Sequence, residues 1–123
     1  MLFSFILGNL CYDLIVLNLP CSIALDYNFD WNPAKEKQNI RKHQLNFRLA
    51  STVFRDRSQL TIYDEEHSQD EDRWITIGLD ETGILRVVIH TFEQTDRTSC
   101  IIRIISARKA NFTETQAYQE RKL

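Results

Sequence analysis

Residues 101–110 read IIRIISARKA, and the reading of this stretch decides how the rest of the chain is arranged. Its isoleucines and alanine mark a buried strand, yet Arg103 interrupts it and Arg108-Lys109 close it. A core strand has no packing use for a guanidinium. Arginine stays charged at any accessible pH and offers five donors in a rigid fork that suits phosphate, so arginines on a strand and at its exit form a phosphate or oxyanion clamp. The alternative is ion pairing, with Arg103 matched to a carboxylate and Arg108 capping a strand end. Strand parity puts Arg103 with Ile101 and Ile105, and Arg108 on the opposite face with Ile102 and Ile104. A shared site for the two therefore requires a bulge or a twisted strand end near Ser106-Ala107.

Outward from this strand, a chain of 123 residues suits one core without disulfides or metal. Three glycines and two prolines argue against a long disordered linker. The net charge of -2 conceals an asymmetry. Residues 1–34 hold Asp13, Asp26 and Asp30 and no Lys or Arg, whereas from Lys35 onward there are 15 basic and 14 acidic side chains. Six of those carboxylates fall within Asp64–Asp72, so the remainder has a basic surplus of 7, which would attract a polyanion if the fold clusters it. Cys11, Cys21 and Cys100 form neither a CxxC pair nor a His/Cys ligand array, and a reduced, cytoplasmic setting is the simpler inference.

Residues 1–25, MLFSFILGNLCYDLIVLNLPCSIAL, are apolar but lack the basic n-region of a secretory signal and carry Asp13 inside the run. Asn9, Asp13, Asn18 and Pro20 also interrupt any transmembrane span. We expect this extension to stand outside the functional domain, with Leu25 a mis-read start codon and 26–123 the domain proper. Mass measurement of the N-terminus of protein made from the native gene tests this. A membrane-tethered protein would require the leader to be translated and kept.

From Asp26 the pattern predicts an α+β domain. Tyr27, Phe29 and Trp31 alternate with polar residues as one face of a short strand. Asn32-Pro33 is a helix start, and the polar helix that follows to about Gln44 carries Lys35, Asn39, Lys42 and His43 on neighbouring faces, either a row for RNA phosphate or a solvated surface. Asn46 precedes a second helix with an apolar stripe at Phe47, Leu49-Ala50 and Val53-Phe54. Leu60–Tyr63 is a strand leading into DEEHSQDED, a solvated loop holding His67 and Glu71. No HExxH or EF-hand spacing is present there, so neither metal nor cofactor is expected. The strand of residues 73–79, the turn Asp80–Gly83, the return strand 84–92 and the opening stretch form an antiparallel meander. A last helix, capped at Asn111 or Thr113, would dock through Phe112, Ala117 and Tyr118.

These elements together resemble the BrnT toxins of type II toxin-antitoxin systems. The resemblance is carried by FDWNPAKEKQNIRKH at 29–43, NFRLASTVF at 46–54, DEEHSQDEDRWITIG at 64–78, LRVVIHT at 85–91 and RIISARKA at 103–110. Gln44 departs from it, standing where the family often has a glycine that eases a helix C-cap. The leader of residues 1–25 is also foreign to the pattern. The resemblance implies a RelE-like fold, a small antiparallel sheet packed with two N-terminal helices and one C-terminal helix. It also implies metal-independent endoribonuclease activity, inhibited by a cognate BrnA-like ribbon-helix-helix antitoxin through which alone the protein would meet DNA.

Such chemistry needs attack of a ribose 2'-hydroxyl on the adjacent phosphate, with a base, an acid and cations for the phosphorane. Arg103, Arg108 and Arg73 are the candidates for the cationic role. His43 with Lys42 is the first acid-base candidate, and His67 or Glu71 the second. Lys35 would touch RNA, and Trp31 and Tyr118 offer rings on which a base could stack, or else pack in the core. The competing reading is a catalytically inactive binding module that acts with its antitoxin, its arginines serving structure or partner contacts.

Overall fold

The computed structural model describes residues 26–122, so the expectations for residues 1–25 lie outside the described residues. Strand β1 (Asp26–Trp31) leads into helix α1 (Pro33–His43) through Asn32. The Asn32 side-chain oxygen accepts from the N–H of Ala34 at 2.8 Å and of Lys35 at 3.3 Å, and Pro33 loses no hydrogen bond in the first turn. The helix closes at Gln44, which adopts a left-handed φ of 53° so that its N–H reaches the Ile40 carbonyl. Helix α2 (Phe47–Ser51) is capped by the Asn46 side chain on the Leu49 N–H at 2.8 Å. The expected helix through Phe54 instead tightens into a 3-10 segment over Thr52–Arg55. Two β-branched residues in succession there disfavour continued α-helix.

Five further strands and a helix follow: β2 (Leu60–Tyr63), β3 (Trp74–Leu79), β4 (Leu85–His90), β5 (Glu93–Gln94), β6 (Ser99–Lys109) and α3 (Phe112–Lys122). The sheet runs β1-β6-β4-β3-β2, with β5 paired to β6. β3–β4 and β4–β6 are antiparallel, as the meander predicts, and β2 adds to β3 in the same sense, but β1 lies parallel to β6. The sheet is therefore mixed rather than purely antiparallel. Alternation reveals which side chains share a face but is blind to strand direction, which explains the difference.

One face carries the main core. Leu45, Phe47, Ala50, Val53 and Phe54 pack there on Val88, Cys100, Ile102, Ile104 and Ala107. Phe29 and Trp31 join them, as the period-2 pattern of β1 predicts, with Trp31 edge-on to Phe47. Where β1 ends, Asn39 of α1 takes over the edge of β6: its Nδ2 donates to the carbonyls of Ala107 and Leu45, both at 2.9 Å, and its Oδ1 accepts from the Ala107 N–H at 3.0 Å. A buried carboxamide thus continues the ladder for one residue, leaving no unpaired peptide group at Ala107.

The second face is covered by α3 through Tyr118, which packs on Ile77 and Val87. Ile62 and Ile101, placed on this face by their pairing, remain exposed beyond it. Two corrections arise at α3. Phe112 does not dock, being 76% exposed, and Tyr118 is 4% exposed with its hydroxyl donating to Asp56 Oδ2 at 2.6 Å, so it offers no ring face to a base. Burial, reinforced by the Asp56 carboxylate, pushes the Tyr118 phenol up to about 12. No helix among the described residues is long and apolar enough to cross a membrane.

Candidate active site

The strand that carries the arginines is bulged. Ile89 pairs with Ser106 and His90 with Ile104, so Ile105 is an extra residue in β6. Cys100, Ile102 and Ile104 face the main core before the bulge and Ala107 faces it afterwards, the parity having changed by one. Arg103 and Arg108 consequently stand on the same, second face.

Each is held by a carboxylate from another element. Arg108 donates through Nη1 and Nη2 to both oxygens of Glu114, at 2.9 and 2.8 Å. Glu114 also accepts from the Asn111 N–H, while Asn111 Oδ1 caps the Glu114 N–H, so a capping box and an ion pair share one side chain. The Arg108 guanidinium holds the Glu114 carboxyl below its usual range, and the same contact raises Arg108. Arg103 Nη2 donates to both oxygens of Glu71, in the acidic loop between β2 and β3.

That loop is pinned at its neck. The Asp64 N–H donates to the Arg73 carbonyl at 2.9 Å, and Ser68 Oγ donates to the Asp64 carbonyl at 2.5 Å while accepting the Arg73 N–H at 2.9 Å. Residues Glu65–His67 form one 3-10 turn, in which positions three apart eclipse. This places His67 over Asp64, with Nδ1 at 3.0 Å from Oδ2 and 3.2 Å from Oδ1. A carboxylate only accepts, so Nδ1 carries the proton, and among the described residues Nε2 makes no hydrogen bond. Glu66, His67, Gln69, Asp70, Glu71 and Arg73 line a cleft of about 350 Å³. Arg73 Nε in its wall is buried and finds no hydrogen-bond partner among the described residues, an arrangement that costs about 1–3 kcal/mol without a compensating acceptor. An imidazole, the Arg73 guanidinium and a carboxylate bridging to Arg103 suit a phosphodiester, with cations for the phosphate and proton carriers beside it.

The family model described as ribonuclease toxin, BrnT, of type II toxin-antitoxin system matches residues 31–114. The chain belongs to the BrnT family. Among solved structures, the ribonuclease toxin BrnT of Brucella abortus is similar, with a TM-score of 0.51 at 23% identity, covering 70% of this chain and 99% of that one. The likeness shows the shared α+β fold. No curated protein matches the chain. BrnT proteins are described as ribonuclease toxins of type II systems, whose counterpart is an antitoxin.

Not all the side chains singled out in the sequence meet in this BrnT chain. Arg73, His67 and Glu71 share the cleft, and Glu71 draws Arg103 to it. Arg108 lies on the same face but is committed to Glu114. Lys42 and His43 sit in the last turn of α1, the helix whose Asn39 is bound to the β6 edge. Among the described residues, no hydrogen bond or ion pair joins them or Lys35 to the three arginines. Trp31 is half-buried against Phe47 and serves the core. A third histidine, His90, is wholly buried: Nδ1 donates to the Thr91 carbonyl and Nε2 accepts from the Thr76 hydroxyl at 2.7 Å, and burial lowers it to about 4. The BrnT residues that sequence reading passed over are Asp64 and Ser68. The i, i+3 spacing of Asp64 and His67 is their sequence signal, legible once a 3-10 turn is recognised.

Proposed function

We propose that this BrnT chain is a cytoplasmic, metal-independent endoribonuclease toxin that cuts RNA by attack of a 2'-hydroxyl on the adjacent phosphate. The observation that carries this reading is the convergence of Arg73, His67 and the Glu71–Arg103 pair on one cleft. Arg73 and Arg103 bind the phosphate and stabilise its extra charge in the transition state. The 2'-oxygen bonds to phosphorus as the bond to the 5'-oxygen breaks, leaving a cyclic phosphate and a 5'-hydroxyl. His67 is the proton-transfer group. Phosphate entering the Arg103 fork releases Glu71, whose carboxylate becomes available as the second one. Side chains thus supply every charge and proton the reaction needs. Arg108 is a positioning residue that ties the strand to α3. A BrnA-like ribbon-helix-helix antitoxin neutralises the toxin and links it to DNA.

The second reading, an inactive binding module, is favoured by one observation: Arg103 and Arg108 each already hold a carboxylate. Inducing the chain and its Arg103→Ala and Arg73→Ala variants in a bacterial host, while following growth and RNA integrity, separates the two. Cleavage should persist with a chelator present and fall about 10²- to 10³-fold in each variant. Intact RNA and normal growth with the unaltered chain would leave the binding module.

A further inference from the structure

We propose that Asp64 is a positioning residue for cleavage, its buried carboxylate fixing the tautomer and direction of the His67 imidazole. The proposal rests on the ribonuclease reading of the cleft and adds to it a residue whose role is orientation. Asp64 departs from the rest of the acidic loop. Its side chain is only 10% exposed, whereas that of His67 is 62% exposed. Burying a carboxylate is unfavourable unless it is paired and hydrogen-bonded. Both Asp64 oxygens lie within hydrogen-bond distance of His67 Nδ1, and among the described residues that carboxylate makes no other hydrogen bond.

An anchor for the fold would bind something buried. This one binds a surface ring. The loop neck does not need the carboxylate, because Asp64 holds it through its backbone N–H and carbonyl, to Arg73 and Ser68. The pairing instead keeps the proton on Nδ1 and leaves Nε2 without a hydrogen bond among the described residues, on a ring that lines the cleft with Glu66, Asp70, Glu71 and Arg73. A carboxylate behind an imidazole holds the ring in the tautomer that can exchange a proton through its other nitrogen. Proton transfer by a group held in this way contributes typically about 10²- to 10⁴-fold.

The test compares the full chain with Asp64→Asn, His67→Gln and the double variant, by cleavage of an RNA oligonucleotide and by ¹⁵N NMR of the imidazoles. With the unaltered chain, the His67 signals should report the Nδ1–H tautomer. In Asp64→Asn that signature should be lost and kcat should fall about 10²-fold, with KM for RNA nearly unchanged. The double variant should be no slower than His67→Gln. Ser68→Ala, which loosens the neck but leaves the carboxylate, should keep the tautomer and serves as the control for a disturbed loop. An unchanged tautomer in Asp64→Asn, a further loss of rate in the double variant, or undiminished cleavage by His67→Gln would each overturn the proposal. Failure of the unaltered chain to cut RNA would instead defeat the ribonuclease reading itself.

Discussion

Arg103 and Arg108 lie five residues apart on one strand and still face the same way, because the extra residue Ile105 reverses the alternation between them. Their partners differ in kind. Glu114 fastens Arg108 to the first turn of α3, while Glu71 reaches Arg103 from the loop that forms the cleft.

This difference predicts that the two alanine variants separate. Arg103→Ala should lower RNA cleavage about 10²- to 10³-fold while leaving stability within about 0.5 kcal/mol of the unaltered chain. Arg108→Ala should lose about 1 kcal/mol of stability through the broken charge-assisted bonds to Glu114. Urea unfolding and single-turnover cleavage, measured on the same samples, check both. Equal losses of stability would show that the pairs do equivalent structural work.

Glu71 occupies the fork that the proposed function gives to phosphate. Replacing it by glutamine should strengthen binding of an uncleavable RNA, deoxy at the attacking position, by roughly two- to five-fold, the worth of a half-exposed ion pair. Cleavage should nevertheless fall, since the carboxylate released from Arg103 is lost. Titration by fluorescence anisotropy gives the first figure. Unchanged affinity would mean that phosphate does not displace this carboxylate.

His90 makes stability depend on pH. Its folded value of about 4 lies below the ordinary 6.5, so the unfolded chain takes up the proton first as pH falls. Stability from this group is complete above about pH 6.5 and declines as pH drops toward 4. Between pH 7.5 and 5 the loss should reach about 2 kcal/mol. Asp80 and Glu114, both lowered below their ordinary carboxylate values, hold their contribution until lower pH, which leaves this window to the imidazole. Urea midpoints across the window should slope for the unaltered chain and flatten for His90→Gln.

Gln44 holds a left-handed backbone at the end of α1 with φ of 53°. A glycine there carries no Cβ penalty, so Gln44→Gly should raise stability by about 1 kcal/mol with no change in RNA cleavage. Thermal unfolding measures it. A lower melting temperature would show that the bond from the Gln44 side chain to the Arg41 carbonyl outweighs the backbone strain.

The local elements follow from the order of the residues alone. Asn32-Pro33 and Asn46 start helices because their side chains satisfy free amides without help from elsewhere, and the aromatic row of β1 faces the core because alternation is a property of the strand alone. Arg103, Arg108, Arg73, His67 and Glu71 are likewise legible in the sequence as polar side chains with no packing use. Tertiary structure decided which of them meet. Alternation alone separates the two arginines of β6, and the bulge that reunites them depends on pairing with another strand, β4. The parallel direction of β1, the burial of Tyr118 against Asp56 and the reach of Glu71 to Arg103 are relations across long sequence separations. The Asp64–His67 pairing lies between these cases. Its spacing is local, but the burial that sets Asp64 apart from its acidic neighbours comes only with the folded loop neck.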